Sequence, residues 1–315
     1  MIPRIIFCQL LLTCFGFAGA ILPSPDDEAI KAEKEKTESG ISLRIVAANL
    51  TSGSYQSYSA DNGNHSNPEG AGARILKALQ PDLILIQEFN TGGSPRQWVN
   101  SVFGSQFHFM REGISNAGPN SIPNGIISRY PIVASGEWKD KFVPNRDFVW
   151  AKIALPDKRF LWAISVHLYA QSAGVRAGEM EQLMAEIKRS IPPEDFLVVG
   201  GDFNTRNLDE PCLKILKPTL VMPKNLPADL QGNINTNAGR KRPYDWILVN
   251  QSLQAAEVPV SLGGHEAAGG LIFDTRTFPS LKKLPPAQPG DSGVKGMQHM
   301  AVVRDFRIFA TQSEK

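Results

Sequence analysis

Cysteine is almost missing from this chain: three residues in 315, two of which, Cys8 and Cys14, lie in the first fourteen positions. Those positions belong to MIPRIIFCQLLLTCFGFAGA, in which Arg4 precedes an apolar run from Ile5 to Phe17 and small residues close at Ala18-Gly19-Ala20. The pattern is that of a signal peptide over 1–20, with cleavage after Ala20 and a secreted or periplasmic destination. A membrane anchor is disfavoured, because the run is too short to span a bilayer. Cleavage leaves Cys212 alone, which excludes an internal disulfide in an oxidising compartment. Nothing catalytic surrounds Cys212 in Glu210-Pro211-Cys212-Leu213-Lys214, so it reads as a buried structural residue.

An excess of one charge is also lacking. The 33 Lys and Arg stand against 31 Asp and Glu, a formal net charge of +2. No overwhelming positive field advertises a polyanion, and any such binding has to come from a local patch. At 42% hydrophobic residues, general disorder is excluded. Residues 21–40 (ILPSPDDEAIKAEKEKTESG) have little to bury and read as a flexible linker. One domain is expected over 41–315, without internal repeats.

What is present is a series of short β-rich runs: Ser42–Leu50, Asp82–Phe89, Gly125–Ile132, Phe148–Leu155, Arg159–Leu168, Phe196–Phe203, Tyr244–Val249 and His299–Phe306. Two helices are predicted among them. The first has Asn67 as cap, Pro68 at its first position, a stripe of Ile75, Leu76 and Leu79, and a stop at Pro81. The second carries Met180, Leu183, Met184 and Ile187 on one face and ends at Pro192-Pro193. Few helices among mixed strands point to two packed sheets with helices outside, not to a doubly wound parallel sheet. Residues 51–66 and 260–297 read as long loops, either functional or mobile.

The apolar strands repeatedly finish in polar residues: Asn49, Glu88, His167, then Asp202 and Asn204, with Asp245 within a strand and Gln298-His299 opening the last one. Taken singly, each is commonly a turn former or a structural residue. Together they are the kit for phosphoester chemistry, in which a hard cation takes carboxylate and amide oxygens and an attacking water needs activation. Asp202 and Asn204, two apart on an extended segment, face one site while Phe203 turns to the core.

These segments resemble, in order, the endonuclease/exonuclease/phosphatase superfamily, also called deoxyribonuclease-I-like. The resemblance rests on Ala48-Asn49, Leu85-Ile86-Gln87-Glu88, Ile127-Ser128-Arg129-Tyr130-Pro131-Ile132, Ser165-Val166-His167-Leu168, Gly200-Gly201-Asp202-Phe203-Asn204, Tyr244-Asp245-Trp246-Ile247 and Gln298-His299-Met300-Ala301-Val302. It implies an α+β, four-layer α/β/β/α sandwich with two mixed β-sheets packed face to face. It also implies Glu88 as the main metal carboxylate with Asn49 beside it, Asp202 orienting or deprotonating the water, and Asn204 assisting. His299 would bind or protonate a phosphoryl oxygen, Asp245 would fix its tautomer, and His167 would be a second phosphate-facing histidine. The cofactor implied is Mg2+, with Mn2+ or Ca2+ as alternatives.

The chain departs from the family at Gln298, where an Asp usually precedes the histidine and faces the metal. Glutamine keeps an oxygen ligand but loses a charge. Asp291 is a candidate source of that charge, and Arg146 and Asp147 read equally as residues that reach the site or as a solvated loop pair. His65 and His108 read as surface histidines, and Arg240-Lys241-Arg242 as either a phosphate contact or a solvated charge run.

Three readings follow. The leading one is a secreted, metal-dependent nuclease, a monomer with nucleic acid as substrate and no stable protein partner. The second is a phosphoesterase for phosphorylated lipids or small phosphoesters, for which Leu271-Ile272-Phe273 would be either a membrane-facing element or a strand in the core. The third is a catalytically silent phosphoester-binding protein, motivated by Gln298.

Overall fold

A computed structural model describes residues 40–50, 70–91, 93–113 and 121–309. The expected signal peptide, almost all of the linker, the 51–66 loop, His65 and the Asn67-Pro68 helix start lie outside the described residues. Helix α1 runs over Ala71–Leu79, capped by Gly70, and its Ile75, Leu76 and Leu79 are buried as their spacing predicts.

The chain begins one sheet with β1 (Ile41–Ala48), β2 (Leu83–Ile86), β3 (His108–Arg111) and β4 (Gly125–Ser128), with helix α2 (Pro95–Phe103) between β2 and β3. It then builds a second sheet from β5 (Ile132–Trp138), β6 (Phe148–Ala154), β7 (Phe160–His167), β8 (Phe196–Asp202) and β9 (Asp245–Val249), in that spatial order. Helix α3 (Ala173–Ser190) connects β7 to β8. The chain returns to the first sheet through β10 (Glu257–Val258), crosses a hairpin of β11 (Val260–Leu262) and β12 (His265–Ala267), and ends on β13 (Leu271–Phe273) and β14 (Ala301–Ile308). Each sheet is mixed, with one parallel pair, β1 with β2 and β7 with β8, among antiparallel ones. This is the expected sandwich.

Two expectations need correction. Gly125–Ile132 is not one strand, because Arg129-Tyr130-Pro131 carries the chain from the first sheet to the second. Residues 260–297 are not a structureless loop. Leu271, Ile272 and Phe273 are buried as β13 against β14 and belong to the core.

Alternation along the strands places the site. On β7, Leu161 and Ala163 point between the sheets, while Trp162, Ile164 and Val166 point outward with Met180, Leu183 and Ile187 of α3. The inward parity continues through Ser165 to His167. Ser165 Oγ accepts from Gln87 Nε2 at 2.9 Å and donates to the Ile86 carbonyl at 3.1 Å, so a polar contact joins the sheets where the apolar core stops. Gly200 and Gly201 permit that closeness. A methyl group on Gly200 would meet Leu85 Cδ1 at 2.6 Å, and one on Gly201 (φ +131°) would meet the Val166 carbonyl at 2.2 Å and Gln87 at 2.5 Å.

Candidate active site

Beyond that contact the strand ends converge. His167, Asp202 and Asp245 lie side by side, because register pairs His167 with Asp202 and Asp202 with Asp245. From the opposite sheet come Asn49, just past β1, Glu88, just past β2, and His299, just before β14. All six are buried. Glu88 takes a left-handed backbone (φ +49°) that ends the extended run of β2.

Asp202 is the hub. Its Oδ2 accepts from Asn49 Nδ2 at 3.1 Å, stands 3.2 Å from His167 Nε2 and lies 3.5 Å from His299 Nε2. Its Oδ1 accepts from the Asn204 amide at 2.8 Å. Asp245 Oδ2 meets His299 Nδ1 at 2.9 Å and so fixes the imidazole with Nε2 turned to Asp202. The Thr236 hydroxyl accepts from the Asp245 amide at 2.9 Å and anchors that carboxylate's backbone.

The electrostatics divide the two histidines. Burial alone would lower His299, but the carboxylates of Asp245 and Asp202 outweigh it and raise its pKa to about 9. His167 is held well below its usual value by burial, with Arg146 and His299 adding to the effect, and is neutral. Burial, with the neighbouring Asp245 charge, raises Asp202 to about 7 in spite of His299. A charged imidazolium, a neutral imidazole and a carboxylate able to take up a proton near neutrality thus meet around Asp202 Oδ2.

A hard divalent cation suits the donors on the Asn49 side. Asn49 Nδ2 lies 3.4 Å from Glu88 Oε1, and Asn49 Oδ1 is buried without a hydrogen-bond partner. An amide oxygen next to carboxylates is a donor set such an ion takes. Ligand atoms of Asp202, Asp245 and His299 also lie within 4.8 Å of one another. Asp245 Oδ2 and His299 Nδ1 are spent on each other, however, so this trio fits proton transfer better than ligation.

Other candidates settle differently. Asn204 is left-handed (φ +53°), so β8 stops at Asp202 and the extended-spacing argument does not reach it. Its Nδ2 donates to the Leu168 carbonyl at 2.9 Å, while Phe203 is in the core as expected. Gln298 is exposed, and its carbonyl accepts from the Ala238 amide at 2.7 Å. Asp291 does not supply a charge here, because it is buried in an ion pair with Arg74 of α1, Nη2 to Oδ1 at 2.6 Å. Asp147 pairs with Lys139, and His108 is exposed on β3. Cys212 is buried and free, and burial pushes its thiol up to about 12.

Arg146 is the residue that sequence reasoning weighed too lightly. Its buried guanidinium donates to the His167 carbonyl and, at 3.1 Å, to the Leu168 carbonyl. Strand polarity is the signal that finds it: Asn145-Arg146-Asp147 opens β6, which runs antiparallel to β7, and therefore lies at the end where His167 emerges.

The sequence profile described as the Endonuclease/Exonuclease/phosphatase family matches residues 62–279. No curated protein sequence matches the chain. Among solved structures, an endonuclease/exonuclease/phosphatase from Bacteroides vulgatus superposes with a TM-score of 0.58 at 15% identity, covering 85% of this chain and 99% of that one. A family protein from Bacteroides thetaiotaomicron gives 0.56 at 13% identity, covering 86% and 99%. A humanized D. rerio TDP2 gives 0.52 at 16% identity, covering 84% and 99%. These likenesses establish the fold, and the profile covers more than half of the chain. The protein therefore belongs to the endonuclease/exonuclease/phosphatase family, whose members are generally hydrolases of phosphoester bonds.

Proposed function

We propose that the protein is a secreted, divalent-metal-dependent phosphodiesterase that cuts nucleic acid. The observation that carries the reading is the chain Asp245–His299–Asp202–His167, in which one buried carboxylate stands between a protonated and a neutral imidazole. Asp202 takes the proton of a water whose oxygen attacks phosphorus. As the bond to the leaving oxygen breaks, His299 supplies the compensating proton from Nε2, and Asp245 holds the ring by Nδ1 before and after the transfer. His167 adds a neutral donor to a phosphoryl oxygen. Asn49 and Glu88 would hold Mg2+, or Mn2+ or Ca2+ in its place, which supplies Lewis-acid neutralisation of charge on the phosphoryl group.

The lipid reading loses its apolar element, since Leu271-Ile272-Phe273 is core. Export is supported by the first twenty residues, and N-terminal sequencing of exported protein should begin at Ile21. The deciding assay is hydrolysis of plasmid DNA, single-stranded DNA, RNA and bis(p-nitrophenyl) phosphate with and without Mg2+. Cleavage that requires the metal and disappears in Asp202→Asn and His299→Ala is expected. Release of a lipid headgroup with nucleic acid untouched overturns the substrate, and no turnover of any ester overturns the enzyme.

A further inference from the structure

The 236–244 loop borders the Asp245–His299 pair and is sewn to both of its members. Thr236 Oγ1 accepts from the Asp245 amide, Asn237 bridges to His299, and the Met300 amide donates to the Thr236 carbonyl at 2.7 Å. Its three cations do not play one role. Arg240 is consumed by Asp229 (2.6 Å) and Asp274 (3.3 Å), so it fastens the loop from behind. Lys241 and Arg242 are exposed, and both their amides donate to Asn237 Oδ1, at 2.7 and 2.8 Å, which fixes the backbone that presents them. Arg242 Nη1 donates to Tyr244 Oη at 3.2 Å, and the Tyr244 ring lies 5.5 Å from the His299 ring. A guanidinium is thus held by a phenol that itself rests beside the imidazole.

We propose that Lys241, Arg242 and Tyr244 form a subsite for the phosphate adjoining the scissile one on a polynucleotide strand. The proposal rests on the phosphodiesterase reading above and adds the groups that would favour a chain of phosphates over an isolated ester. A guanidinium fork and an ammonium are the side chains that grip phosphate, one by directed paired hydrogen bonds and the other as a compact charge. A cation arm oriented by an aromatic hydroxyl keeps more of its interaction energy, because less side-chain freedom is lost on binding. A membrane is the poorer occupant. Among the described residues the exposed large apolar side chains are Val133, Phe142, Leu208 and Phe309, none of them within the 236–244 loop.

The test is fluorescence anisotropy with fluorescein-labelled oligothymidylate across a salt series, in an Asp202→Asn background so that turnover does not interfere. Adding Lys241→Ala and Arg242→Ala should weaken binding about tenfold and flatten the salt dependence by about 0.7 in logarithmic slope for each phosphate no longer neutralised. The pair Lys188→Ala and Arg189→Ala, at the far end of α3, carries the same charge change and should leave both nearly unmoved. Unchanged affinity and slope in the loop variant, or an equal loss in the α3 variant, overturns the subsite. So does binding to phosphatidylserine vesicles, but not to the oligonucleotide, that depends on the loop cations. The titration needs no catalysis, so failure of ester hydrolysis in the unmutated protein would count against the enzyme reading alone.

Discussion

His299 and Asp245 meet Nδ1 to Oδ2 at 2.9 Å, although one belongs to each sheet and 54 residues separate them. The contact both orients the imidazole and holds its charge. With His299 raised to about 9 and Asp202 to about 7, the competent form has Asp202 deprotonated and His299 protonated. Activity should rise through pH 7 and fall through pH 9, the two limbs belonging to the coupled group. Asp245→Asn removes the main charge that raises His299. Its alkaline limb should move down toward 6.5, with a loss in kcat of about 10²-fold or more, read from pH–rate profiles on a phosphodiester.

Glu179 on α3 predicts a pH dependence of stability. Burial raises it to about 8 from an ordinary 4.5, helped by a hydrogen bond to Asp140. Its carboxyl also accepts from the Tyr169 amide, at 2.9 Å. Between these values the folded chain keeps a proton that the unfolded chain has released, so stability falls as pH rises from 4.5 to 8. The slope is about 1.4 kcal/mol per pH unit for one group. Glu179→Gln preserves both a donor and an acceptor and should flatten this dependence in urea titrations at several pH values.

The buried pair of Arg176 and Glu210 predicts an asymmetry between single and double variants. Arg176 Nη2 reaches Glu210 Oε1 at 2.6 Å, and Nη1 donates to the Tyr169 carbonyl at 2.9 Å. Arg176→Met strands Glu210 without its countercharge and should cost about 3–5 kcal/mol in chemical denaturation. Adding Glu210→Leu should recover part of that loss.

Gly201→Ala should be among the most damaging small changes. The added methyl group would lie 2.2 Å from the Val166 carbonyl at a backbone angle that disfavours side chains, so a loss of about 3 kcal/mol is expected. Thermal unfolding checks it, and a melting temperature equal to that of the unmutated protein would contradict the close-approach argument.

The sheets and the site were legible to different depths. Asn49, Glu88, His167, Asp202 and Asp245 could be found because each interrupts or ends an apolar run, a local signal. The 125–132 segment misled because Ile126-Ile127 and Ile132 are equally apolar, and only long-range pairing assigns them to different sheets. Asp291 illustrates the same limit: its partner, Arg74, is 217 residues away, and nothing near it in sequence reveals the pair. Helix α3 read as one apolar stripe, yet it also buries Arg176 and Glu179, polar side chains made tolerable by partners on other segments. Arg240 shows the converse, a residue that looked available for phosphate and is held by two aspartates.

The polar seam at Ser165 and Gln87 sets when activity can first exist. Asn49, Glu88 and His299 arrive on one sheet, and His167, Asp202 and Asp245 on the other, so neither sheet alone carries the full set. His299 is also among the last described residues of the chain. A nascent chain, or a fragment cut before it, lacks the Asp245–His299 contact however well its early strands have formed. Hydrolysis would therefore switch on in one step, at docking, and could serve as a clock for the completion of folding.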